Sequence, residues 1–305
     1  MVPTVNTPQE RLLAVFAQLT PELQRAARWV SGHPAEVGLW SMRRQAQALS
    51  VSPATMLRLA RAAGYKSYDS FRAPFQQALT SGGSTLRQKA AKLQAADGRK
   101  ATQPAHDVLA ELQGRAVQSA CKLNTPAQLD AAARAMLRAR MVGFLGWRSS
   151  FGTAFQMRYA YQLLQCNGML LDGAGGTLDE QAEILGPKDV LVAIGQAPYA
   201  RPTVRVAQDA AQRGVTLIAL TDDALSPLAL QAAHALLFQS ESSAGAGSRH
   251  GPGTFFHTMA GPLALAEHLI ARFAAIGGQE VLGRLDHVEH RLRNEQAYWN
   301  QRGKP

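Results

Sequence analysis

Hydroxyl and guanidinium side chains recur at short spacing between Ser41 and Tyr65: Ser52, Thr55, Arg58 and Arg61, with Arg43 and Arg44 just before them. Ser and Thr hydroxyls donate to phosphate oxygens or to base edges, and a guanidinium grips a guanine edge or a phosphate in a fork of two bonds. Ser52, Pro53, Ala54 and Thr55 would form the first turn of a helix, whose free N–H groups add further donors for an anion. A second group lies at Met141–Phe155, MVGFLGWRSSFGTAF, where an apolar run leads through Gly146, Trp147 and Arg148 into Ser149 and Ser150. A buried strand, a glycine-containing turn and a helix opened by hydroxyls make an anion site at the C-terminal edge of a parallel sheet.

Helix signals place the first group. Thr20-Pro21-Glu22 sets an N-cap, a proline at the first helical position and an acid in the first turn, and Ser31-Gly32-His33-Pro34 ends that helix. A short helix follows at 35–39. Ser41 caps a helix through Leu49, Ser50-Val51 makes a tight connection, and Ser52-Pro53 opens a helix to Ala63 that Gly64 closes. Ala46, Leu49, Val51, Met56, Leu57 and Leu59 are the apolar contacts between the two, with small Ala46 allowing close approach. This is a helix-turn-helix, in which the second helix enters the major groove by its N-terminal residues. Arg43 and Arg44 are placed to hold the flanking phosphates. A plain αα-hairpin with a solvated basic face is the competing reading.

Charge favours the nucleic-acid reading. The chain of 305 residues carries a formal +10, and residues 1–105 hold 14 Lys and Arg against 5 Asp and Glu. Residues 106–305 hold 18 against 17, so the excess sits almost wholly in the first third. A last helix of this region is expected at 67–79, then a flexible interruption and a basic, alanine-rich linker.

Beyond 106 two helices are expected (106–122 and 126–139). Apolar runs then alternate with helical stretches: 141–145, 169–171, 190–194, 215–220 and 235–238. Short buried strands alternating with helices imply a parallel sheet covered on both faces. An apolar helix at 255–275 and a charged one at 279–300 complete the chain. The expected organisation is an all-α helix-turn-helix domain at 1–80, a linker at 81–105, an α/β domain at 106–278, and a C-terminal helix and tail at 279–305.

The stretch LTPELQRAARWVSGHPAEVGLWSM…LSVSPATMLRLARAAGYKSYDSFR resembles the N-terminal domain of the RpiR family of bacterial regulators. Ser52, Thr55, Arg58, Arg61, Gly64 and Tyr65 match that pattern in order, while Gln45, Ala48 and Met56 depart from it. GWRSSF, LLDGAGGTLDE, GPKDVLVAIGQAPYARPTV, GVTLIALTDDALSPLAL and ALLFQSESS resemble, in order, the SIS (sugar isomerase) domain that follows it. The resemblance implies a three-layer α/β/α sandwich that binds a phosphosugar or another small anion. It assigns phosphate binding to Ser149, Ser150 and Thr203. Gly195 and Ala200 stand where the family usually supplies hydroxyls, each worth about 1.5–3 kcal/mol as a bond to a charged oxygen, and Pro202 replaces an acid. Arg148 and Arg201 give the pocket positive character, and Trp147 and Tyr199 can stack on a flat or apolar ligand or simply pack at their loops.

Other chemistries are weakly supported. An isomerase needs a general base, for which Glu241 and His257 are candidates, but a helix-turn-helix gives a free isomerase no purpose; Glu241 is also counted with the ligand site. His250 and His257 fall in a glycine-rich stretch, and His287 and His290 have HxxH spacing without further ligands, so no metal is expected. No GxGxxG or Walker sequence is present, and no cofactor is expected. Cys121 and Cys166 lack CxxC spacing and read as reduced structural thiols. With no membrane span and no secretory signal, the expected product is a cytoplasmic, non-enzymatic regulator. Its expected partners are double-stranded operator DNA and a small effector, and it is expected to act as a homodimer or homotetramer.

Overall fold

The computed structural model describes residues 8–80, 86–97, 105–240 and 255–299. Contacts divide the chain into two units. One comprises Met1–Ala116 with Asp223–Leu230 and Gln239–Thr258; the other comprises Val117–Asp222 with Gln231–Phe238 and Met259–Pro305.

The first unit is helical: α1 (Pro8–Val15), α2 (Pro21–Gly32), α3 (Pro34–Leu39), α4 (Met42–Ala48), α5 (Pro53–Ala62), α6 (Tyr68–Thr80) and α7 (Leu86–Asp97). Thr20, Ser41 and Ser52 each cap the following helix through the side chain, the hydroxyl of Ser52 accepting from Thr55 N at 3.1 Å. Both helices of the central pair also end in the same way. Ser50 N donates to Gln47 O and Val51 N to Ala46 O after α4, while Gly64 N donates to Arg61 O and Tyr65 N to Ala60 O after α5. This double closure requires a left-handed residue, supplied by Ser50 (φ 52°) and Gly64 (φ 82°). Glycine adopts that conformation freely; the serine does so at some cost, which fixes the turn between α4 and α5. Ala26, Ala27, Val30, Ala46, Met56, Leu59 and Phe71 are buried between the helices.

The second unit is a parallel sheet. β1 (Val142–Gly146), β2 (Gly168–Leu170), β3 (Val190–Gly195), β4 (Thr216–Thr221) and β5 (His234–Leu237) stand in the order β2-β1-β3-β4-β5. β1 and β3 are buried along their whole lengths, as strands covered on both faces must be. α8 (Ala105–Lys122), of which Val117 onward belongs to this unit, and α9 (Pro126–Arg138) precede the sheet; α10 (Phe151–Leu164), α11 (Leu178–Glu183) and α12 (Arg201–Gln212) alternate with its strands; α13 (Ala260–Ile276) and α14 (Gly278–Asn294) follow it. The β1–α10–β2 crossover runs one way along the sheet and β3–α12–β4 the other, so right-handed connections put α10 and α12 on opposite faces. Phe144, Tyr161 and Phe273 meet in the core, with Tyr161 edge-on to Phe273 at 5.0 Å between centroids.

Three expected boundaries move. The apolar helix begins at Ala260 rather than 255, because Pro262 is tolerated only in its first turn. The charged helix ends at Asn294 rather than 300, where Gln296 turns to φ 49°. The first strand meets its helix through a 3₁₀ turn, Arg148–Ser150, so that helix starts at Phe151.

Candidate functional sites

On the helical unit, Arg43, Arg44, Ser52, Pro53, Ala54, Arg58 and Arg61 are all exposed. The Arg44 guanidinium lies 4.4 Å from the centroid of the Trp40 ring, a cation–π contact that orients it at the start of α4. Thr55 is different. It is 1% exposed, and its hydroxyl lies 2.9 Å from Ser52 Oγ, 3.3 Å from Glu22 Oε1 and 3.1 Å from an Arg58 nitrogen. The expectation that Thr55 serves as a surface donor is therefore corrected: it sits one helical turn inward, and its hydroxyl is committed to neighbours.

Glu22, at the other end of that contact, was not singled out as a functional residue. Its Oε2 lies 3.7 Å from the Arg58 guanidinium. A pairing across 36 residues leaves no local signal. Gln45, a departure from the family pattern in sequence, is fully buried. It donates to the carbonyls of Val37 and Trp40 at 3.0 and 2.9 Å and accepts from the Tyr68 hydroxyl, so one amide satisfies the end of α3 and ties α6 to α4.

On the sheet unit, strand order decides where a ligand can sit. In the order β2-β1-β3-β4-β5 the connections leaving β1 and β3 diverge to opposite faces, which opens a crevice between them at the C-terminal edge. Gly146 pairs in register with Ile194, so the turn holding Arg148, Ser149 and Ser150 stands beside the loop leading to Tyr199, Arg201 and Thr203. The two groups, about fifty residues apart in sequence, thus meet at one edge. Gly146 is required there: a Cβ at this position would fall 2.4 Å from the Ser150 carbonyl oxygen. Arg148 adopts φ 57° and is exposed, Ser149 is half-buried and Ser150 is buried.

Around this edge the aromatics are engaged with the protein. Trp147 packs against Gly173, where a Cβ would lie 2.9 Å from the ring. The Tyr199 hydroxyl donates to Asp222 Oδ1 at 2.7 Å, and Ala197 N donates to Oδ2 at 3.2 Å. Asp222, directly after β4, fixes the loop that leads into α12 and was not anticipated, although a carboxylate just past a buried strand marks it. Thr203 is 2% exposed in the first turn of α12, and its Oγ1 has no hydrogen-bond partner among the described residues. Arg201 is exposed. Glu241 and His250 lie outside the described residues.

His257 is half-buried, and His287 and His290 are exposed on α14. Among the described residues no three His, Cys, Asp or Glu side chains gather as a metal site. Cys121 and Cys166 are exposed and form no disulfide. Among the described residues no helix is long and apolar enough to cross a membrane.

Comparison with known proteins bears on the second unit. Residues 136–254 match the family model of the SIS domain, and the chain carries a SIS domain there. The sugar isomerase domain of an RpiR transcription factor from Sphaerobacter thermophilus is similar in structure. It is 26% identical, over 62% of this chain and 99% of that one, with a TM-score of 0.54. The NanR protein of Vibrio vulnificus, solved in complex with ManNAc-6P, is 18% identical over 96% of this chain and 100% of that one, with a TM-score of 0.56. No curated protein matches the chain in sequence.

Proposed function

We propose that this chain is a transcriptional regulator of the RpiR type, binding operator DNA through α4 and α5 and a small effector through its SIS domain. The observation that carries the proposal is the exposed start of α5 flanked by Arg43, Arg44, Arg58 and Arg61. They stand on the third of the chain that holds nearly all of its excess positive charge. Likeness to a transcription factor's SIS domain supports the same reading. Arg58 and Arg61 would reach base edges or phosphate, Arg43 and Arg44 would hold flanking phosphates, and Ser52, Pro53 and Ala54 would face the groove. The domain organisation follows: DNA binding in 1–80, a linker at 81–105, the effector domain at 106–278, and a C-terminal helix and tail. A homodimer or homotetramer would present two such helices about one duplex turn apart.

Duplex DNA from upstream of the gene tests this by gel shift. Wild-type protein should give a salt-dependent shift that prefers this sequence over unrelated DNA. Arg58→Ala should weaken binding by about tenfold or more, in line with the loss of one guanidinium–base contact. Failure of the wild type to shift the duplex at any salt would sink the proposal.

The effector is proposed to bind between the two loops at the C-terminal edge. Ser149, Ser150 and the buried Thr203 hydroxyl would accept it, with Gly146 shaping the turn and Arg148 and Arg201 supplying charge. Trp147 and Tyr199 would line the crevice. A phosphosugar or related anion is the class favoured, as in the NanR complex. A ligand at 100 times its Kd should stabilise the native state by about 2.7 kcal/mol, read as a rise in Tm with ManNAc-6P or another phosphosugar. No rise with any phosphosugar or small anion would leave oligomerisation as the role of the SIS domain, and turnover of one would revive an isomerase.

A further inference from the structure

We infer that Glu22 positions Arg58 on the recognition helix and suppresses sequence-independent binding to DNA; the inference rests on the DNA-binding role proposed above. The contacts form one directed chain. Ser52 Oγ accepts from Thr55 N at 3.1 Å, which leaves its proton for Thr55 Oγ1 at 2.9 Å. Arg58 donates to the same Oγ1 at 3.1 Å, and the Thr55 hydroxyl donates to Glu22 Oε1 at 3.3 Å. The second carboxylate oxygen then faces the Arg58 guanidinium at 3.7 Å. Every proton in the chain has one acceptor, and the chain ends at Glu22. Buried Thr55 is its fixed point.

Two consequences follow for a helix laid against DNA. The Arg58 side chain, 61% exposed, keeps donors free for a base while one edge of its guanidinium is held. The Glu22 carboxylate, 45% exposed beside it, lowers the attraction of this arginine for any phosphate that passes. A free arginine gains from every phosphate it meets; a held one gains mainly where a base edge fits its direction. Sequence discrimination rises as general affinity falls. As a stabilising surface ion pair the contact is worth little, which makes its effect on binding separable from any effect on folding.

The test uses a duplex that the wild-type protein selects from a random-sequence pool, with a scrambled duplex of equal length and composition. Glu22→Gln should bind the scrambled duplex about fivefold or more tightly at low salt, while binding to the selected duplex changes less. The slope of log K against log salt on the scrambled duplex should steepen by about one phosphate's worth as Arg58 gains a backbone contact. In an Arg58→Ala background the Glu22→Gln change should leave the preference unaltered, because its route is through the guanidinium. A merely structural role would move Tm and leave both the salt slope and the double-mutant cycle unaffected. Unchanged preference and slope in Glu22→Gln, with the wild type selective, would overturn the inference alone. Wild-type protein that selects no duplex would overturn the DNA-binding role and this inference with it.

Discussion

Asp189→Ala is expected to destabilise the sheet unit by about 3 kcal/mol or more while leaving the helices of the other unit folded. The carboxylate is 1% exposed at the entry to β3 and takes four hydrogen bonds: from Arg140 Nε and a terminal Arg140 nitrogen at 3.0 and 2.6 Å, from Met141 N at 3.0 Å and from Gly186 N at 2.7 Å. These bonds tie the start of β1 to the start of β3, at the edge of the sheet opposite the candidate ligand site. Truncation orphans two backbone N–H groups, at about 1–3 kcal/mol each. The Arg140 side chain is 56% exposed, so solvent screens its share and the backbone donors dominate.

The same site fixes a pH dependence. Burial alone would raise the Asp189 pKa, but the Arg140 guanidinium and the Gly186 and Met141 N–H groups outweigh it and hold the carboxyl below the usual aspartate range. A group whose folded pKa is depressed contributes stability above its unfolded pKa, near 3.9, and loses it as pH falls through the lower folded value. Urea unfolding of wild type and Asp189→Asn should therefore differ by a constant amount from neutrality to about pH 5, with the gap closing below about pH 4. A gap that stays constant to pH 3 would contradict the assignment.

Gly146→Ala should be a damaging small substitution near the candidate ligand site. The added Cβ meets the Ser150 carbonyl oxygen at 2.4 Å, its carbon at 2.8 Å and the Ala154 Cβ at 3.1 Å. Two of these three are backbone atoms of the 3₁₀ turn, which cannot rotate aside as a side chain would, so the turn itself must move. Overpacking of this kind costs about 1–3 kcal/mol. Displacement of Ser149 and Ser150 should also abolish any rise in Tm with a phosphosugar. Gly152→Ala is the matched control: its Cβ would meet nothing within 4 Å, and the change suits a helix. Equal behaviour of the two variants would show that the turn does not require its glycine.

Legibility in the sequence followed the range of the interactions. Caps and closures are local, so Thr20, Ser41, Ser52 and Gly64 marked their helix ends correctly. The five strands appeared as apolar runs bounded by turns, each placed to within a residue or so. The left-handed Ser50 escaped because serine carries no signal for that conformation. Thr55 was misjudged because its exposure depends on α2, whose position no helical spacing within α5 encodes. Glu22, Gln45 and Asp222 belong to the same class: each acts through a partner more than twenty residues away. Ser149, Ser150 and Thr203 were named largely through resemblance. Why they should meet became physical only with the strand order.

That strand order also sets a timetable. Val142 must find Val190, forty-eight positions along, before the centre of the sheet exists, and β2 has to be laid down on its outer side. Helices α2 to α6 instead close over a few dozen consecutive residues. Low-separation contacts form faster, and N-terminal segments leave the ribosome earlier. Helices α2 to α6 can thus pack against one another while the sheet is still being translated. A nascent chain would therefore carry a packed, strongly basic helical segment before its parallel sheet exists.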